Sequence, residues 1–283
     1  MSTLAQDIRA KLKRLHVLEK IIVLNTLIFV SGLFFNLLEF NLLDWFSLPY
    51  LLSEFLGRPW SIISYGFLHY SIGHLFFNML VLYFLAQTFA NLFKPRLSLK
   101  IYVLGVIFGG LAFLSIALLF PNLLGINGPL VGASAGVRAC ILFLCVYWPN
   151  KLVGFFTFRF PLKYLGIAMI VLDLPGLFSL NSGGTVAHIG GYISGYFYAK
   201  QLQKGKEFGS FLDSILDYFN SKKVLRTAYK NKSSKIAGKQ KTEFNTFTHQ
   251  KQIDLILDKI SKSGYDSLTQ AEKDFLFRAG KNN

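Results

Sequence analysis

Between Lys20 and Lys200 the apolar residues come in blocks of helix length, separated by short polar stretches. A hydrocarbon layer about 30 Å thick takes about 20 apolar residues to cross as a helix. Inside it every backbone N–H and C=O must be paired within the segment or its neighbours. The pattern therefore predicts an all-α fold, a polytopic membrane bundle of six transmembrane helices followed by a short helical cytoplasmic tail. The spans are Ile21–Leu38, Leu75–Phe93, Ile101–Phe120, Gly132–Trp148, Phe160–Leu180 and Thr185–Ala199. The first and third rest on hydropathy alone. The fifth carries Asp173 and Pro175 near one end, and the sixth is short and glycine-rich. Composition agrees, with 16% charged residues and a mean hydropathy of +0.42, where soluble domains carry about 25% charged residues.

Lysine and arginine placement predicts the orientation. Arg9, Lys11, Lys13, Arg14 and Lys20 precede the first span; Lys94, Arg96 and Lys100 follow the second; Lys151, Arg159 and Lys163 follow the fourth. The alternate connections hold Arg58 alone, against Glu39, Asp44, Glu54 and Asp173. By the positive-inside rule both termini are cytoplasmic. No small-residue cleavage site follows the first apolar run, which reads as a retained helix and not a signal peptide. Cys140 and Cys145 are five apart on one helix, which suits neither a disulfide nor a metal site.

The domains expected are a cytoplasmic N-terminal segment (1–16), the membrane bundle (17–204), an amphipathic helix with a basic linker (205–249) and a helical hairpin (250–283). Phe208, Phe211, Leu212, Ile215, Leu216 and Phe219 follow helical spacing, as for a helix on the inner membrane surface. Lys222 to Lys241 hold eight positive residues and no acidic one, which suits a solvated linker drawn to anionic lipid. No reading helix or interleaved aromatics accompany it, so no nucleic-acid partner is expected. In the tail, Gly264 is a C-cap for one short helix. Thr269 and Glu272 form a capping box for another. Ile253, Ile256, Leu257, Ile260, Leu268, Phe275 and Leu276 are its expected packing residues. His16 and His249 lie in polar flanks and receive no role.

Polar side chains inside spans are costly and mark function. His74 and Asn78 open the second span, Ser134 is third in the fourth, and His188 is fourth in the sixth. All three helices run inward, so these residues lie at one shallow depth. Each alone is ordinary packing material; together they make one site. A serine hydroxyl needs a base to become a nucleophile, and histidine is the usual one. Attack on a carbonyl creates an oxyanion that needs aimed donors. His74 and Asn78, four apart, share a helix face, and the helix start at Gly132–Gly136 offers free N–H groups. Gly132 with Gly136, and Gly191 with Gly195, are small residues four apart that let helices approach closely. That approach would bring Ser134 and His188 within hydrogen-bonding reach.

"HYSIGHLFFN" (His69 to Asn78), "GASA" around Ser134 and "AHIGGYISG" (Ala187 to Gly195) resemble the three signature motifs of the rhomboid intramembrane serine proteases, in the right order on the second, fourth and sixth spans. The resemblance covers about Val17 to Gln203. It implies a rhomboid-like bundle with Ser134 as nucleophile and His188 as general base, in a dyad with no acidic third member. His74 and Asn78 would line the oxyanion hole, and His69 would help hold water outside the second span. No metal or cofactor is implied. The implied partners are single-pass or other transmembrane proteins, cut near the outer end of their span, and the lipid bilayer. The implied location is a bacterial inner membrane, because "RPWSIISYGFLH" resembles the segment entering the second span in many bacterial members. "LDKISKSGYDSLTQAEKDFLF" resembles a C-terminal module attached to some of them.

Two residues depart from the family pattern. Ala135 stands where Gly often follows the serine. Arg138 stands where a tyrosine usually packs on the catalytic histidine. Its guanidinium could stack on the His188 imidazole and disfavour the imidazolium, pair with a carboxylate, or line a water pocket. Two other readings compete: a catalytically impaired rhomboid-like protein that binds membrane helices, and a small transporter. The four polar groups argue against the first, and their shallow depth against the second.

Overall fold

The structure, a computed structural model, describes residues 3–121, 124–155, 158–179, 181–219 and 240–281. The chain divides into two units, residues 1–221 and 222–283. In the first, α1 (Leu4–Arg14) and α2 (Val17–Asn36) are followed by three short helices, α3 (Leu42–Phe46), α4 (Leu52–Gly57) and α5 (Ser61–Ser64). Then come α6 (Ile72–Leu92), α7 (Pro95–Leu119), α8 (Ser134–Tyr147), strands β1 (Leu152–Phe155) and β2 (Phe158–Pro161), α9 (Leu162–Asp173), α10 (Ser182–Gln203) and α11 (Ser210–Phe219).

The six expected spans are not alike. By length and apolarity together, α2, α6 and α7 alone among the described helices qualify as membrane spans. The 14 residues of α8 rise about 21 Å and the 12 of α9 about 18 Å, short of a 30 Å hydrocarbon layer. α10 runs 22 residues, longer at both ends than expected, because its glycines and serines dilute hydropathy without breaking the helix. The expected fifth span opens instead as a strand. β1 and β2 pair antiparallel, Leu152 opposite Pro161 and Val153 opposite Phe160, so the fold is not purely α. Phe160 and Pro161, the two strand residues inside that span, cannot be told from a helix start by hydropathy. Pro161, with no N–H to donate, ends β2 and begins α9. The same span closes in a 3₁₀ turn at Leu174–Phe178.

The centre is a close packing of α7, α8 and α10. A Cβ added at Gly191 would collide with Ala135 O, and one at Gly195 with Ala139 O. One at Gly105 would stand 3.1 Å from Gly136 Cα, and one at Gly109 2.5 Å from Ala135 Cβ. Small residues on all three helices thus let backbone meet backbone. Side chains such as Leu27 and Val30 on α2, Phe77 and Phe84 on α6, and Ile167 and Leu172 on α9 lie exposed. An apolar belt of this extent suits lipid, not water.

The N-terminal ends of α6, α8 and α10 share one end of the bundle, since residues from all three line one cavity. At the opposite end Lys100 of α7 is buried and holds Glu207 at 3.1 Å and Asp213 at 2.9 Å, while Arg96 holds Asp217 at 2.5 Å. These pairs dock α11 on α7. Both cysteines are buried and free.

The second unit is a hairpin of α12 (Gln240–Ser263) and α13 (Gln270–Lys281). Gly264 turns the chain at φ +79°, a conformation open to glycine. The Thr269 N–H donates to Glu272 Oε2 at 2.8 Å and the Glu272 N–H to Thr269 Oγ1 at 3.4 Å, the reciprocal pair of a capping box. Lys259 crosses to Glu272 at 2.9 Å. Ile256 and Leu268 are buried, but Leu257 is exposed and takes no part in the packing expected of it. The basic segment Lys222–Lys241 lies, up to residue 239, outside the described residues.

Candidate active site

Ser71 caps α6 by accepting from the His74 N–H at 3.2 Å, which fixes His74 as its third residue. One turn on, Asn78 Nδ2 donates to His74 O at 3.0 Å. That uses one of its two amide hydrogens and leaves the other free. Ser134 is the first residue of α8, not the third of a longer helix. The first bond inside α8 runs from Val137 N to Ala133 O, and no side chain caps the helix start. The N–H groups of Ser134, Ala135 and Gly136 therefore precede the helix ladder.

Gly132 lies outside the helix and does not pair with Gly136 as a packing motif. Its φ of +129° is open only to glycine, and its N–H donates to Tyr65 O at 2.9 Å. A Cβ there would stand 2.9 Å from His74 Nε2 and 3.6 Å from Ser134 Oγ. The His74 ring and the Ser134 hydroxyl thus both crowd one α-carbon, which places the expected oxyanion donor beside the expected nucleophile. Ala135, the first departure from the pattern, fits because its methyl faces Gly109 of α7.

His74, Asn78, Ser134, Arg138 and His188 line one cavity of about 660 Å³, within the usual range for ligand sites. Five residues chosen from sequence are thereby brought together. The hydrogen bonds of the described residues include none between Ser134 and His188, so the expected direct bond is not formed. His69 lies elsewhere. It is buried, packs edge-on against His74 with ring centroids 4.9 Å apart, and lines a separate cavity of about 80 Å³.

The second departure resolves into a carboxylate pair. Arg138 does not stack on His188. Its Nε donates to Asp173 Oδ2 at 2.8 Å and its Nη2 to Asp173 Oδ1 at 3.0 Å. The Tyr192 hydroxyl donates to Asp173 Oδ2 at 2.6 Å, and the same oxygen is 3.1 Å from His188 Nδ1. An acidic group thus stands against the histidine, where the motifs imply none. By charge placement Asp173 marks only the outer side. A further signal is present in the sequence: a buried arginine and a carboxylate at one membrane depth need each other, and Tyr192 is four residues from His188 on the same helix face.

A family model described as the rhomboid domain matches residues 56–204. A second, described as a family of unknown function (DUF6576), matches residues 240–281. The chain is similar to "RHOMBOID-like protein 12, mitochondrial" of Arabidopsis thaliana, 30% identical over 53% of this chain and 48% of that protein. It is also similar to "Presenilin-associated rhomboid-like protein A, mitochondrial" of Danio rerio, 26% identical over 47% of this chain and 35% of that one. The chain thus spans about half or less of the length of these relatives. Both are named as mitochondrial, so the bacterial-membrane expectation draws no support from them.

Proposed function

The chain belongs to the rhomboid family, and on that premise we propose that it is an intramembrane serine protease acting on membrane-spanning proteins. One observation carries the reading: His74, Asn78, Ser134 and His188 come from three helices and meet at one cavity. In this mechanism His188 takes the proton of Ser134 Oγ as that oxygen bonds to the scissile carbonyl carbon. The carbonyl oxygen becomes an oxyanion facing His74, the free hydrogen of Asn78 and the first N–H groups of α8. The C–N bond then breaks, and the imidazolium returns its proton to the departing amine. Water repeats the sequence on the acyl-enzyme and frees the serine. Catalytic hydrogen bonds often tighten only when substrate is bound, so the Ser134–His188 bond forms as the carbonyl arrives.

The positive residues at the far ends of α6 and α8 support a cytoplasmic side for that end of the bundle. The cavity then opens outward, near the outer end of a substrate's span. Labelling of detergent-solubilised protein by a fluorophosphonate probe tests the reading. Ser134→Ala and His188→Ala each abolish labelling while the protein stays folded. Undiminished labelling of Ser134→Ala refutes it. The missing Ser134–His188 bond favours a second reading, a catalytically impaired rhomboid-like protein that binds membrane helices. That reading holds if the unmodified protein does not label.

A further inference from the structure

Asp173 ends α9, Arg138 lies on the second turn of α8, and Tyr192 lies one turn beyond His188 on α10. Three helices therefore converge on one carboxylate. Arg138 grips it through both oxygens, side-on, a planar fit that a lysine cannot reproduce. Tyr192 donates to the oxygen nearest the histidine. The carboxylate is 15% exposed and the His188 side chain 14%. With two donors fixing it, Asp173 has little rotational freedom, and its Oδ2 is held 3.1 Å from His188 Nδ1.

We infer that Asp173 is a positioning residue for His188, held in place by Arg138 and Tyr192. The inference rests on the protease reading for its consequence but not for its test. A carboxylate accepts and does not donate, so the nitrogen facing it must carry the proton. Nδ1 is then the protonated nitrogen of the neutral ring, and Nε2 is free to take the serine proton. The Nδ1–H axis is off the line to Oδ2, and this nitrogen has no aligned acceptor among the described residues. A small rotation of the imidazole aligns the bond. Asp173 stays ionised throughout and stabilises the imidazolium that forms.

The tautomer can be read without any turnover. Histidine is ¹⁵N-labelled in the full-length protein, and His188→Gln assigns the His188 signals among the five histidines. In the unmodified protein at a pH where the ring is neutral, ¹⁵N shifts report a protonated Nδ1 and a bare Nε2. Asp173→Asn offers an amide that can donate to Nδ1, so the Nε2–H tautomer gains and the ring can no longer act as base. Asp173→Glu restores the original tautomer. Where the protein also cleaves a membrane reporter, Asp173→Asn lowers kcat by about 10²–10⁴ with KM little changed, the upper figure being the loss for such a substitution in the serine-protease triad. If Asp173→Asn strands Arg138 and impairs folding, Arg138→Met/Asp173→Asn removes both charges and is read in its place. An unchanged His188 tautomer in Asp173→Asn, or in that double variant, overturns the inference. It does so whether or not the protein labels with fluorophosphonate, the result that decides the protease reading.

Discussion

Gly191→Ala adds a single methyl group at the place where α10 lies on α8. That methyl would stand 3.1 Å from Ala135 Cα and 3.0 Å from Ala135 C, nearer still to its carbonyl oxygen, where ordinary contact begins at 3.4 Å. Everything it meets is backbone, so no side chain can swing aside. The helices must part or tilt, and Ala135 adjoins Ser134. Overpacking of this kind costs about 1–3 kcal/mol of stability. Misplacing a catalytic group by about 1 Å costs roughly 10²-fold in rate. The expected result is a folded protein whose kcat on a transmembrane reporter in proteoliposomes falls about 100-fold, with fluorophosphonate labelling slowed in parallel. Gly195→Val, one turn along against Ala139, should act the same way. Gly57→Ala is the control, because a Cβ there meets nothing within 4 Å. If Gly191→Ala cleaves within about twofold of the unmodified protein, the close packing of α10 on α8 does not set the position of Ser134.

Asn78→Ala should lower kcat by about 10²–10³, the usual loss for one oxyanion donor, with KM unchanged; wild-type turnover would place the donor elsewhere. Gly132→Ala forces both a strained φ and a collision with the His74 ring, so probe labelling should fall at least tenfold, and normal labelling would show that the His74 ring is free to yield. Glu207→Gln/Asp213→Asn leaves the buried Lys100 ammonium without its two opposite charges. Amide exchange across residues 205–219 should then quicken, and unchanged protection would mean that α11 is held by apolar contacts alone. Lys259 and the Thr269 N–H hold the Glu272 carboxyl down to about 2. Its contribution to the hairpin is complete above the ordinary carboxylate value of about 4.3 and is lost as pH falls toward 2. Glu272→Gln should therefore reduce amide protection in 256–281 at pH 7 and make no difference near pH 2; equal protection at pH 7 would dismiss the ion pair and its cap.

Legibility in the sequence tracks dependence on local pattern. Long apolar runs mark α2, α6 and α7. Gly264 and the Thr269–Glu272 cap mark the hairpin turn. The motif serine, histidines and asparagine meet at one cavity because each sits near the start of a helix that begins at the same end. The hidden features depend on partners distant in the chain. Gly105 and Gly109 repeat the spacing that draws attention to Gly191 and Gly195, yet inside a strongly apolar run they read as plain hydropathy. Their role is visible only when α8 is seen lying on them. Asp173 reads as a loop charge because its partner is 35 residues away. Strand β2 merges into a helix because Phe160 and Pro161 run without a break into the apolar start of α9.

The Arg138–Asp173 pair also bears on how the protein reaches its membrane. An arginine in the second turn of α8 and an aspartate at the end of α9 are each costly on a lone inserting helix, and both helices are too short to offset that with length. Neither is a good candidate to leave the insertion channel alone. Joined by the β1–β2 hairpin, they can leave it as one antiparallel unit with the two charges already neutralised at the same height. Swapping the two residues, Arg138→Asp with Asp173→Arg, would keep that neutrality while disrupting the arrangement around His188. Such a chain would enter the bilayer normally and emerge without a working base.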